Sequence, residues 1–72
     1  MTQKEMEFAV FCIENLAEYL GENGADVYAK LSLDSNILDE YIIPNCAVLH
    51  TQGKEYIIND ITDIMREEGL VQ

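Results

Sequence analysis

An all-α bundle of four or five short helices, one of them kinked or broken at Pro44, is the architecture this chain encodes. Three observations lead there. Apolar residues recur at spacings of three and four near both ends, the period of a helix face. Clusters of Gly, Asn, Asp and Ser separate those runs and carry the side chains that start and stop helices. The two runs that would serve as strands, YII and CAVL, have no obvious partners elsewhere in the chain.

The first helix is read over residues 3–20. Met6, Ala9, Val10, Ile13, Leu16, Ala17 and Leu20 form one apolar face, and Phe8, Phe11, Cys12 and Tyr19 widen it. An arc so broad calls for several neighbours or a second chain. Thr2 and Glu5 have the spacing of a capping box, in which each satisfies the other's free amide. Gly21 is suited to the left-handed position that closes a helix. Asn23 can cap a short helix over 24–31, with Asp26 in its first turn and Val27, Tyr28 and Leu31 facing inward. Asn23-Gly24 is also a hairpin signal, but its flanks do not alternate apolar and polar.

A third helix is expected from Ile37, capped by Asn36 with Asp39. Pro44 then interrupts, since its ring removes an amide donor and disfavours helical angles at Ile43. Pro44 also suits the first position of a new turn, so a short helix is expected to restart at PNCAVLH. The last helix is read over 54–68 with Thr51 or Gln52 as its cap. Ile57, Ile58, Ile61, Ile64 and Met65 face inward, and Asn59, Asp60, Asp63, Arg66 and Glu67 face water. Gly69 ends it, and Leu70 can fold back over the last turn.

The 72 residues have room for a single small helical domain over 1–72. Apolar residues make up 49% of them, enough for a packed core, so disorder is not expected despite the charge. A core this small supplies only about 3–5 kcal/mol, which favours staples or oligomers. Cys12 and Cys46 match no zinc pattern, so a homodimer is the staple left open. The N-terminus has no basic region followed by an apolar run, and no stretch approaches a membrane span. A cytoplasmic location with reduced thiols is expected.

Charge narrows the partners. Fourteen acidic residues against four basic ones give a net charge of −10, and Lys4, Lys30, Lys54 and Arg66 stand singly. Phosphate backbones and anionic membranes both select clusters of Lys and Arg, so direct nucleic-acid and membrane binding are not expected. Such a domain steers instead toward a basic protein partner, or simply stays soluble. An acidic mimic of nucleic acid is a remoter option.

Candidate sites gather between residues 39 and 61. His50 lies four residues after Cys46, so on one helical turn the two would be neighbours, the spacing of a thiol and its base in an enzyme. No orienting third group or oxyanion hole accompanies them. The plainer reading leads: Cys46 as a small buried hydrophobe and His50 as a helix-end residue bonding free carbonyls. Asp60, Asp63 and Glu67 recur at helical spacing, but the facing Glu-x-x-His that builds a helical metal site is absent, and DSNILDE lacks the EF-hand spacing. No catalytic residue, cofactor or metal site is therefore assigned. Tyr41 and Tyr56 flank Pro44–Gln52, so a groove beside that segment, with Tyr41, His50, Gln52 and Tyr56, is the preferred partner-binding region.

The string YIIPNCAVLHTQGKEYIINDI, with EFAVFCIENLAEYL and LDEY before it, resembles a small bacterial family of domains of unknown function. Its members carry an IP-N-x-x-VLHTQ-x-x-EYI-type core. The resemblance covers nearly the whole chain and points to Tyr41, Pro44, Asn45, Leu49, His50, Thr51, Gln52, Glu55 and Tyr56. It implies a compact helical stand-alone domain and brings no catalytic residues with it. Its genes' association with larger effector-like neighbours implies an accessory or antitoxin-like role. The resulting expectation is a non-enzymatic cytoplasmic interaction or accessory module, antitoxin-like or regulatory. The alternative is a small-molecule or metal-responsive domain around His50 and Cys46.

Overall fold

The computed structural model describes residues 1–71, which are helical with no strand among them. Helix α1 spans Gln3–Leu20, and α2, Gly24–Tyr28, runs on into a π-helical turn at Ala29–Leu33. A second π-helical turn, Leu38–Ile42, precedes α3, Cys46–Leu49, and α4, Lys54–Glu67, closes the bundle. The radius of gyration is 11.0 Å, matching the value of about 11 Å for a fully packed chain of this length.

Local chemistry fixes most helix ends. Thr2 Oγ1 accepts from the Glu5 amide at 3.1 Å while Glu5 Oε1 accepts from the Thr2 amide at 2.8 Å, so the capping box forms. Asn23 Oδ1 accepts from the Asp26 amide at 2.8 Å and starts α2. Gly21 and Gly69 take φ of +70° and +75°, where a side chain would be strained. The amides of Glu22 and Leu70 reach back to the carbonyls of Ala17 and Met65, closing both long helices in the same way. Lys30 Nζ holds both carboxylate oxygens of Glu22 at 2.7 and 2.8 Å, tying the loop after α1 to the first π turn.

The π turns have identifiable causes. A π turn bonds five residues back and leaves carbonyls that need other donors. In the first, the Asp34 amide donates to Ala29, while the Ser32 and Ser35 hydroxyls donate to the carbonyls of Tyr28 and Lys30. In the second, the Ile43 amide donates to Leu38, and Asn45 Nδ2 donates to the carbonyl of Tyr41 at 2.8 Å. Pro44 follows directly and has no amide to contribute. The widened turn lets Ile43 keep helical angles, φ −68° and ψ −49°, against the sequence expectation. The interruption falls at Ile43–Asn45, around Pro44 as expected, but α3 restarts two residues beyond Pro44 rather than on it.

Other caps also differ from expectation. Asn36 makes no side-chain cap; Ser35 Oγ accepts from the Ile37 amide at 3.3 Å. Thr51 does not start α4. Its hydroxyl donates to the carbonyl of Val48 at 2.7 Å, closing α3, and Gly53 occupies the α4 N-cap without a side-chain bond. Gln52 likewise donates its amide backward, to Leu49 at 2.9 Å.

The core gathers Phe8, Ala9, Cys12 and Leu16 of α1 with Val27, Leu31, Ile37, Leu38, Ile42 and Leu49. From α4 come Ile57, Ile58, Ile61 and Met65. The stripe of α1 is therefore turned from the one read in sequence. Phe8 and Cys12 point inward, Met6 and Val10 are 55% and 46% exposed, and Ile13 is only half-buried. Tyr28, read as inward, is exposed. Thr62 is the buried polar side chain of α4, and its hydroxyl is satisfied by the carbonyl of Ile58 at 2.7 Å.

Truncating Ile61, which has no exposed surface, is expected to cost about 2–5 kcal/mol in urea denaturation, most of the margin of a domain this size. Met6→Ala on the exposed stripe should stay within about 0.5 kcal/mol in the same titration. Similar midpoints for the two variants would overturn this orientation of α1.

Candidate functional site

Around the Pro44–Gln52 segment the chain makes a cleft and, elsewhere, a tyrosine–carboxylate pair. The cleft, about 600 Å³ in volume, separates the start of α1 from Ile43–His50. One wall is the first turns of α1, with Lys4, Glu5 and Glu7 beside the ring of Phe8. The other is Ile43, Pro44, Cys46 and Ala47, ending at His50. The short α3 places these residues: Cys46, Ala47 and His50 fall on adjacent turns, so one side of the segment faces α1.

His50 is exposed, and its backbone amide donates to the carbonyl of Cys46 at 3.0 Å. The expected side-chain bonds to free carbonyls do not form. That role falls to Thr51. The imidazole stands at the mouth of the cleft with Cys46, half-buried, one turn behind it. Cys12, on α1 one turn beyond Phe8, is sealed in the core. Burial and, less, the nearby charge of Cys46 push its thiol from the usual 9.0 to about 12. A thiol held so firmly protonated is a poor nucleophile. Among the described residues no three His, Cys, Asp or Glu side chains gather to hold a metal ion.

Tyr41 turns away from the cleft. Its hydroxyl donates a short hydrogen bond to Asp60 Oδ2, joining the second π turn to α4. That bond, partial burial and the charge of Asp60 raise the phenol from 10.0 to about 12, because ionisation would set two anions together. Asp60 is thus a half-buried acceptor and not the solvated residue its spacing suggested. Tyr56 precedes Asp60 by one turn and is 54% exposed. A hollow of about 390 Å³ beside Tyr41 is lined by Asp34, Asn36, Glu40 and Glu68 among others.

Of the four residues read as one contact region, only His50 lines the cleft. Tyr41 belongs to the second hollow, while Gln52 and Tyr56 lie exposed outside both. Lys4, Glu5, Glu7 and Phe8 carry no sequence signal as site residues, since nothing local says that the first helix meets Pro44. Asp60 reads as water-facing in sequence because its partner Tyr41 lies nineteen residues away on another element.

The two raised acids have a common consequence. Between pH 9 and 12 the unfolded chain releases protons that folded Cys12 and Tyr41 keep, so stability is full below that window and falls as pH rises through it. Tyr41→Phe should remove the part lost above pH 10. Thermal midpoints followed by circular dichroism would then fall less steeply with pH in the variant than in the wild type. Identical slopes would contradict the Tyr41–Asp60 bond.

No helix of the described residues is long and apolar enough to cross a membrane. None of the curated proteins compared and none of the solved structures matches the chain. A match to a family does extend over residues 7–68, from the cleft wall of α1 through the end of α4. It spans both π turns, the Pro44–Gln52 segment, the hollow beside Tyr41 and all of the cleft lining except Lys4 and Glu5. The chain belongs to the family described as "Protein of unknown function (DUF3791)".

Proposed function

We propose that this chain is a non-enzymatic, cytoplasmic protein-interaction module that presents an acidic surface to a basic partner, in an accessory, regulatory or antitoxin-like role. The observation that carries this reading is the excess of unneutralised carboxylates. Fourteen acidic residues share four basic ones, and Lys30 and Arg66 are already paired with Glu22 and Asp63. The hollow beside Tyr41 adds Asp34, Glu40 and Glu68 with no cation on its wall. A field of one sign raises the encounter rate with an oppositely charged protein and repels nucleic acid and anionic lipid. The bacterial core string IP-N-x-x-VLHTQ-x-x-EYI supports the accessory role through the resemblance it carries. Exposed Met6 and Val10 leave a patch that a second copy could cover, so homodimer formation is part of the proposal.

Affinity capture on the immobilised protein should retain basic proteins that elute as ionic strength rises, because screening weakens such contacts. No retention above background, together with a strict monomer in light scattering, would overturn the reading.

A second reading has one observation in its favour. The cleft at His50 falls within the range of about 300–1,000 Å³ typical of small-molecule sites, and its walls combine apolar surface with a few polar groups. On this reading a metabolite would raise the melting temperature of the wild type and leave His50→Ala unmoved. No shift across a broad panel of metabolites would remove it.

A further inference from the structure

We infer that the cleft between α1 and Ile43–His50 is the docking groove for a basic, amphipathic helix of a protein partner. This rests on the acidic-module reading and locates it. The two walls differ in character. Ile43, Pro44 and Ala47 offer apolar surface, continued across the floor by Phe8, while Glu5 and Glu7 stand along the α1 side against a single Lys4. An apolar side chain from the partner would enter between Phe8 and Pro44, and Lys or Arg one turn away on its helix would lie over Glu5 and Glu7. Helix-in-groove recognition uses such a division, with apolar anchors setting the position and charge setting orientation and choice of partner.

The occupant follows from charge. A second copy of this chain would bring another −10 to the groove, and a nucleic acid would bring phosphates. A basic helix is the complementary macromolecule. Both carboxylates are already held in place. Glu5 accepts from the Thr2 amide at 2.8 Å and Glu7 from Gln3 Nε2 at 3.2 Å, so they are partly ordered before a partner arrives. Ala47 is exposed on the groove wall, and its small side chain leaves the apolar surface open.

The test is a titration of the isotopically labelled full chain with two peptides of equal positive charge, followed by amide chemical shifts. One peptide is an amphipathic helix of leucine and lysine, and the other replaces each leucine by serine. The amphipathic peptide is expected to bind more tightly and to move the amides of Phe8, Ala47 and His50 most. Ala47→Arg, which keeps good helix propensity, should weaken it by about tenfold or more. Val48→Arg, exposed on the same helix but off the groove wall, should leave it unchanged. Equal binding of the two peptides, equal binding by Ala47→Arg, or shifts centred on Tyr41 and Glu68 would each overturn the groove and leave the acidic-module reading standing. Binding of neither peptide would overturn both. A dimer in light scattering whose interface shields Ala47 would also overturn the groove, as it would assign this wall to a second copy.

Discussion

Everything else in this small chain hangs on one apolar seam, where α1 lies against α4. Phe8, Cys12 and Leu16 supply one side, and Ile57, Ile61 and Met65 the other within the same core. A domain of this size buries only about 60% of the surface its unfolded chain exposes, so it cannot spare much of such a seam. The intervening segments are too short to be stable helices alone. The five residues of α2 and the four of α3 persist because Val27 and Leu49 are buried in the same core. The two π turns belong to this logic. Each widens the chain's path so that Leu31, Leu38 and Ile42 reach the core while serine and asparagine side chains take up the carbonyl bonds.

The seam also explains the position of the cleft. Once Phe8 is turned inward, the first turns of α1 are carried alongside Ile43–His50, and the short α3 cannot fill the space between them. What remains is a slot with charge on one wall and apolar surface on the other. A predominantly acidic exterior, fourteen carboxylates to four basic side chains, surrounds it, which matters because a patch of apolar surface alone says little about its partner. The charge pattern and the slot together restrict the class of macromolecule that fits.

Sequence reading succeeded where the chemistry is local. Thr2 with Glu5, Asn23 with Asp26, and the glycines at 21 and 69 act within a single turn, so their spacing alone declares them. It failed where two alternatives differ only in what lies across the core. Met6 and Val10 recur with the same helical period as Ala9 and Leu16, and only the placement of α4 decides which stripe is covered. Thr51 suits a helix start or a helix end equally well, and the direction was settled by the carbonyl of Val48. Around the candidate site, His50 was legible as a rare residue beside Pro44. The α1 wall was not, because its juxtaposition with Pro44 is a tertiary fact with no local signature. The same holds for the separation of Tyr41 from His50, which follows from the turn at Ile43–Asn45 and from Asp60 drawing the phenol toward α4.

The sealing of Cys12 has a further consequence. The chain carries two thiols in unlike settings, one half-exposed on the cleft wall and one at 1% exposure inside the seam. Modification of the outer thiol reports on access to the cleft, whereas modification of the inner one requires α1 to lift from the core. Two chemically identical groups thus resolve local breathing from cooperative opening, and the molecule contains a built-in gauge of how often its central seam comes apart.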